Sequence, residues 1–260
     1  MIIIGEKLNT SIPKTQAAVV SRDADYLKNL ILTQVEAGAD FLDINTAAGT
    51  EDELASMKWL LGLVLEQSGV GIMLDSPSPD VIAQAMGMLG GRPVIVNSVS
   101  LAEHTQLLPL IAEAGAWVVG LPIDEKGIPD TAQKRADNAG RLLDKIAQAG
   151  IPQDKVLIDV LAESLAVSDY NLKRSLDTVA AMRARFSGVK TVCGVSNVSF
   201  GLPKRININA SFLSAAIVLG LSAAILDITS PTIKSALLSS LAVAGLDEYC
   251  LGYIAYMRNH

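Results

Sequence analysis

Short apolar runs alternate with longer stretches of helical period from one end of the chain to the other. "MIIIGE" (1–6), "DFLDIN" (40–45), "VGIMLD" (70–75) and "PVIVNS" (93–98) read as strands buried on both faces, because Val, Ile and Leu follow one another without polar alternation. Four more such runs cover 116–122, 155–160, 190–197 and 223–229. Between them apolar residues recur every three or four positions, predicting helices over 23–37, 52–67, 79–89, 101–115, 130–149, 171–186, 207–220 and 232–244. Gly38, Gly90, Gly115, Gly150, Gly188 and Gly220 each stand just before a strand, where a helix C-cap belongs. Eight evenly spaced strand–helix units leave no linker and predict one α/β domain over residues 1–260. The expected architecture is a closed (β/α)8 barrel, for which about 250 residues is typical. An open doubly wound sheet is the alternative, weakened because no GxGxxG follows the first strand.

Composition narrows the chemistry. Half the residues are hydrophobic and 18% are charged, enough for a large core. A net charge of −6 argues against nucleic acid as a partner, since phosphate binding needs a cationic footprint. No apolar run approaches the roughly 20 residues of a membrane span, and "MIIIGEKLN" lacks the features of a signal peptide. Cys193 and Cys250 form no CxxC pair, and with His104 and His260 they give no zinc-site spacing. A cytoplasmic protein with no metal of its own is expected.

In a barrel the chemistry sits at the C-terminal ends of the strands. Reading those ends gives Glu6, Asn9, Asp43, Asn45, Asp75, Asn97, Asp159, Asn197 and Asp227, with Pro122 and Asp124 after the fifth strand. Any one of them could simply cap the following helix or shape a turn. Their recurrence strand after strand points instead to a ring around a ligand. The ring is made of carboxylates and carboxamides, which suit a flat heterocycle with adjacent N–H, NH2 and C=O groups, such as a pterin or a purine. It suits a phosphate poorly, because no glycine-rich cradle and no cationic clamp accompany it.

Several stretches occur in an order that resembles a known family: "IIIGEKLN", "ADFLDIN", "LDS", "VNSVS", "DEKGIP" (124–129), "LID" and "SNVSFGLPKRININASFL" (196–213). The chain resembles, over essentially its whole length, the pterin-binding methyltransferases that pass a methyl group between methyltetrahydrofolate and the cobalt of a corrinoid. These include the methyltetrahydrofolate:corrinoid/iron–sulfur protein methyltransferases and the folate-binding module of cobalamin-dependent methionine synthase. The resemblance implies that Asp75, Asn97 and Asp159 bind the pterin edge and that Asn197 is the catalytic residue at N5. It places Gly194, Ser196 and Arg205 along the pterin side, and Glu6, Asp43 and Asn45 are expected to orient the ring from behind.

The substrate implied is tetrahydrofolate or methyltetrahydrofolate. The corrinoid (cobalamin) would come on a separate protein or free, because the chain holds neither homocysteine-binding cysteines nor a cobalamin-binding His motif. A homodimer is also implied, with the apolar helices "SFLSAAIVLGL" and "IKSALLSSLAVAGL" as its face. The direction of transfer stays open. Dihydropteroate synthase shares the barrel but would need a lysine near the end of the seventh strand, where this chain has Asn197. A non-catalytic folate-binding protein is the third reading. With no histidine at the strand ends, N5 is expected to exchange its proton with solvent. His104 is expected on a helix surface, Cys193, Trp59 and Trp117 in packing roles, and Lys126 and Lys204 in water.

Overall fold

The computed structural model describes residues 1–259, so His260 lies outside the described residues. Eight parallel strands close into one barrel, each paired with the next in the chain and the last with the first. They are β1 (Ile2–Asn9), β2 (Phe41–Asn45), β3 (Gly71–Asp75), β4 (Val94–Ser100), β5 (Trp117–Leu121), β6 (Val156–Asp159), β7 (Lys190–Gly194) and β8 (Ala223–Leu226). The helices around it are α1 (Pro13–Val20), α2 (Ala24–Glu36), α3 (Glu53–Gln67), α4 (Pro79–Met86), α5 (Leu108–Glu113), α6 (Ala132–Gln148), α7 (Asn171–Arg185), α8 (Arg205–Leu219), α9 (Pro231–Val243) and α10 (Leu251–Met257). The architecture is a single-domain TIM barrel, as the alternation of apolar runs predicts. The six glycines expected at helix ends all adopt positive φ, a conformation that L side chains disfavour.

Two apolar layers hold it together. Outside the barrel wall, strands and helices share one large core. Inside, Ile4, Met73, Ile95, Val119, Leu157, Val192 and Ala223 form a separate plug, one residue from each strand but β2, which contributes the half-buried Phe41. Side chains two apart on a strand share a face. The residue after next on every strand therefore also points inward, one layer nearer the C-terminal end.

Four local expectations need correction. Helices α1 and α10 are additional to the eight predicted. The helix expected over 101–115 shrinks to α5 with a 3-10 turn, Thr105–Leu107, before it. Pro109 has no N–H to donate, so a helix running through it from 101 would lose a bond; α5 instead takes Pro109 in its first turn. Ahead of it Ser100 Oγ accepts from the backbone N–H groups of Ala102 and Glu103 at 3.2 and 2.9 Å, which turns the chain. His104 is consequently not on a helix: it adopts φ 64° in the loop, half-buried, with Nδ1 3.1 Å from Ser98 O. Finally β7 ends at Gly194, and Asn197 lies in a 3-10 turn, Val195–Ser199, beyond the strand.

Candidate active site

The inward residue two beyond each member of the plug is Glu6, Asp43, Asp75, Asn97, Leu121, Asp159, Gly194 and Ile225, and all eight line one cavity of about 640 Å³. That volume is in the range of small-molecule sites. Six of the eight are polar or glycine, so the barrel interior changes from a dry plug to a polar floor within one layer.

Two bulges widen the polar set. In β1 the pairing with β2 slips between Gly5 and Leu8, which lets the consecutive residues Glu6 and Lys7 both reach the cavity. The buried Gln34 holds the bulge by accepting from Lys7 N–H at 3.0 Å. A Cβ at Gly5 would come within 2.5 Å of the same Gln34 oxygen, so only glycine fits. A second slip, between Asn97 and Val99, brings Asn97 and Ser98 to the cavity together.

The remaining wall comes from the turn after β7. Ser196 Oγ donates to Glu6 at 2.7 Å, joining the turn to β1 across the barrel mouth. The Arg205 guanidinium donates to Ser196 O at 2.6 Å and to Ser199 Oγ at 3.1 Å, and stacks 5.7 Å from the centre of the Phe200 ring. Ser199 Oγ donates in turn to Asn209 at 2.6 Å. Asn197 is exposed into the cavity, and among the described residues its amide has no hydrogen-bond partner. Gly194 makes room for it, since a Cβ there would lie 2.8 Å from Asn197 Nδ2. The amide is thus fixed by a turn and left unspent.

Electrostatically the cavity holds more carboxyl groups than cations. Burial pushes Asp159 up to about 6, against a bond of 2.6 Å from Leu161 N–H and the charge of Arg135, which pull it down. Burial also raises Asp75, opposed by Asn45 Nδ2, which donates to it at 2.9 Å, and aided by the charge of Glu53. Glu6 is raised by burial, with Ser196 working the other way. Asp43 alone of these four carboxyl residues is fully buried. Burial and then the charges of Asp75 and Glu6 hold it well above the ordinary range, and its Oδ1 has no partner. Perturbed carboxyl groups gathered in a cavity mark a functional site.

The expected site residues therefore fall as follows. Asp75, Asn97, Asp159, Gly194, Ser196, Asn197 and Arg205 converge on one cavity. Asn45 stands behind Asp75 as expected, whereas Glu6 and Asp43 face the cavity themselves. Asp227 turns aside to an ion pair with Lys7 at 2.6 Å, and Asp124 faces Arg141 at 3.8 Å, away from the cavity. His104, assigned above to a helix surface, lines a second hollow of about 580 Å³ that shares Asn9, Ser11, Asp75, Asn97 and Ser98 with the first. The signals for it in sequence were Ser100, which turns the chain, and Pro109, which disfavours the longer helix. The strand-end groups whose protonation burial perturbs are the carboxyls of Glu6, Asp43, Asp75 and Asp159.

A hollow of similar size between α7 and α8 opens at the opposite face. It has no carboxylate or carboxamide in its lining and lies at the stability face of the barrel. Among the described residues no group of three His, Cys, Asp or Glu is arranged to hold a metal ion.

The family model for pterin binding enzymes matches residues 6–227. The chain belongs to the pterin binding enzymes. Over 262 residues it is 30% identical to a methylcorrinoid:tetrahydrofolate methyltransferase of Eubacterium limosum, covering 99% of this chain and 96% of that protein. It is 33% identical over 240 residues to methionine synthase of Mycobacterium tuberculosis; there the match takes 86% of this chain but only 20% of the relative's length. Among solved structures, a dihydropteroate synthase of Coxiella burnetii in complex with pteroic acid superposes with a TM-score of 0.69 at 16% identity, covering 95% of this chain and 94% of that one. That likeness confirms the fold of this pterin binding enzyme. The lysine of β7, Lys190, stands at the start of the strand, over the Trp117 ring at 5.0 Å, at the far end from the cavity.

Proposed function

We propose that this pterin binding enzyme transfers a methyl group between the cobalt of a corrinoid and N5 of tetrahydrofolate, with the pterin held at the cavity floor. The observation that carries the reading is the unspent Asn197 amide beside a floor of Asp75, Asn97 and Asp159. The whole-length relationship to a methylcorrinoid:tetrahydrofolate methyltransferase supports it. Asp75 and Asp159 accept from the amino and ring N–H groups of the heterocycle, and Asn97 both donates and accepts. Gly194, Ser196 and Arg205 shape the wall nearest N5.

In one direction the N5 lone pair attacks the methyl carbon. The carbon–cobalt bond breaks with its electron pair left on the metal, so Co(III) becomes Co(I), and N5 then gives up its proton. In the other direction N5 is protonated first, and Co(I) takes the methyl cation. Asn197 serves both stages: its oxygen accepts from protonated N5 and its NH2 donates to the neutral lone pair. A fixed carboxylate there would favour only the protonated form.

The corrinoid is a second substrate, delivered by a separate protein or free. We also read the chain as a cytoplasmic homodimer. Its two cysteines are unpaired, which suits a reducing compartment. Of the two apolar helices expected to form the dimer face, Val218, Val243 and Leu246 are exposed, and Tyr249, Leu251 and Tyr253 add exposed apolar surface around α10. No helix among the described residues is long and apolar enough to cross a membrane.

The test is single-turnover transfer from methylcobalamin to tetrahydrofolate, followed by the cobalt absorption under anaerobic conditions. The wild type should convert the spectrum to Co(I), and Asn197→Ala should be slower by roughly a hundredfold or more at saturating folate, the usual effect of losing a preorganised group at a reacting atom. A protein that only carries folate would leave the spectrum unchanged. An unchanged rate in Asn197→Gly, which keeps the turn and removes the amide, would end the catalytic role of this residue.

A further inference from the structure

The mouth of the cavity has two unlike halves. In the segments that follow the first four strands (10–12, 46–52, 76–78 and 101–107) no large apolar side chain is exposed. In those that follow β5, β6 and β7, Ile128, Val167, Tyr170 and Phe200 are 49%, 80%, 71% and 70% exposed. Water disfavours such a grouping, yet these loops are built to hold it still. Arg135, wholly buried, donates to Pro129 O at 3.1 Å and to Val160 O and Leu161 O at 2.8 Å each, and it pairs with Glu163 at 2.6 Å. One guanidinium thus ties the β5 loop to the β6 loop. The β6 loop is tied to the turn after β7 in the same way: Ser164 Oγ donates to Phe200 O at 2.6 Å and Leu165 N–H to Val198 O at 3.0 Å.

One of the exposed residues, Phe200, also abuts the cavity. Phe200 N–H donates to Asn197 O at 3.2 Å, so the aromatic ring follows one turn after the free amide, and Phe200 lines the cavity as well. Whatever exchanges a methyl group beside Asn197 therefore meets Phe200, at the edge of this half of the rim.

We propose that Ile128, Val167, Tyr170 and Phe200 form a fixed apolar shelf that receives the face of the corrin macrocycle during methyl transfer. The inference rests on the methyltransferase reading above. A corrin is a broad disc with largely apolar faces and amides around its edge, and its methyl group stands perpendicular to the disc. For that methyl to meet N5 in the cavity, the disc must lie flat across the mouth. The shelf then takes the apolar face, and the polar half of the rim meets the amide-bearing edge. Because the loops are tied down before binding, little ordering is needed when the disc arrives.

The experiment uses the full chain with tetrahydrofolate and free methylcobalamin, and compares the wild type with Val167→Ser/Tyr170→Ser. Both positions are exposed and outside the folate site, and Val243→Ser/Leu246→Ser serves as the control on the distant apolar face. The wild type must turn over; no transfer by the wild type refutes the methyltransferase reading and the shelf with it. Given turnover, the shelf variant should raise KM for methylcobalamin roughly tenfold, the effect of losing two apolar anchors, while kcat and calorimetric affinity for tetrahydrofolate stay within twofold. Methylcobinamide, which has the corrin but no nucleotide tail, should show the same rise. An unchanged KM, a parallel loss of folate affinity, an equal effect in the control variant, or a rise confined to methylcobalamin would each overturn the shelf.

Discussion

Replacing Asp159 by asparagine should raise stability while it lowers affinity for folate. In the unliganded fold the carboxyl is held at about 6 rather than 3.8, mainly by burial at the cavity floor. At about 1.4 kcal/mol for each pH unit, the ionised form costs up to about 3 kcal/mol at pH 8. The sign follows from linkage. A carboxyl raised on folding binds its proton more tightly in the folded chain, so the penalty is present above about pH 6. It shrinks as pH falls toward 3.8 and is gone below that. The carboxamide introduced by the substitution would keep an acceptor for Leu161 N–H and carry no charge. Thermal unfolding of Asp159→Asn should therefore rise by on the order of 5–10 °C at pH 8, with the advantage vanishing near pH 4. Folate binding should move the other way, because the pterin's N–H donors lose a charged acceptor; the cost is about 1.5–3 kcal/mol, roughly ten- to a hundredfold in dissociation constant. Wild-type affinity should also fall as pH drops through 6, and the variant should lose the part of that fall owed to Asp159. Scanning calorimetry at both pH values and calorimetric titration with tetrahydrofolate provide the check. A variant less stable than wild type at pH 8, or one that binds folate equally well, would refute the reasoning.

Gly194→Ala should leave stability nearly unchanged, because φ is −77° there, yet lower kcat at least tenfold by displacing the Asn197 amide, whose Nδ2 would lie 2.8 Å from the new Cβ; equal turnover would show that the amide has room to spare. Arg135→Met should cost about 3–5 kcal/mol by stranding Glu163 and the carbonyls of Pro129, Val160 and Leu161, measured by urea unfolding; a loss under 1 kcal/mol would show that the loops hold without it. Asn45→Ala should raise Asp75 further, since Asn45 is its stabilising donor, and the pH at which folate affinity declines should shift upward; an unshifted profile would remove Asn45 from the site.

Much of the site was legible because it repeats one geometric rule. Asp75, Asn97 and Asp159 each follow an apolar residue two positions earlier on a strand, so the strand period alone predicts that they face the same interior. The rule fails where the strand does. Glu6 and Lys7 are adjacent, and only the bulge held by Gln34, far along the chain, lets both reach the cavity. Asp227 obeys the period but is drawn off by Lys7, a charge introduced by that same bulge. Asn197 was read from the strand-end pattern and its role at N5 from resemblance to a family; its place in a 3-10 turn rather than in β7 goes with contacts of that turn to Glu6 and Arg205 that no local pattern carries. His104 was misplaced because a helical period runs through 101–115 while Ser100 and Pro109 break the backbone that the period assumes.

The hydrogen bond from Ser196 to Glu6 joins residues 190 apart in the chain, and Lys7 waits for Asp227 on the far side of the closing seam between β1 and β8. As the ribosome delivers the chain, the first strand leaves the tunnel with a carboxylate and an ammonium whose partners do not yet exist. The cavity stays an open arc until β8 has been made, because β8 is the strand that closes the ring on β1. Contacts of such sequence separation are slow to form. The binding site and the ring closure then arrive in the same event, and a folate already present acts only on that last step, by trapping the ring once it has shut.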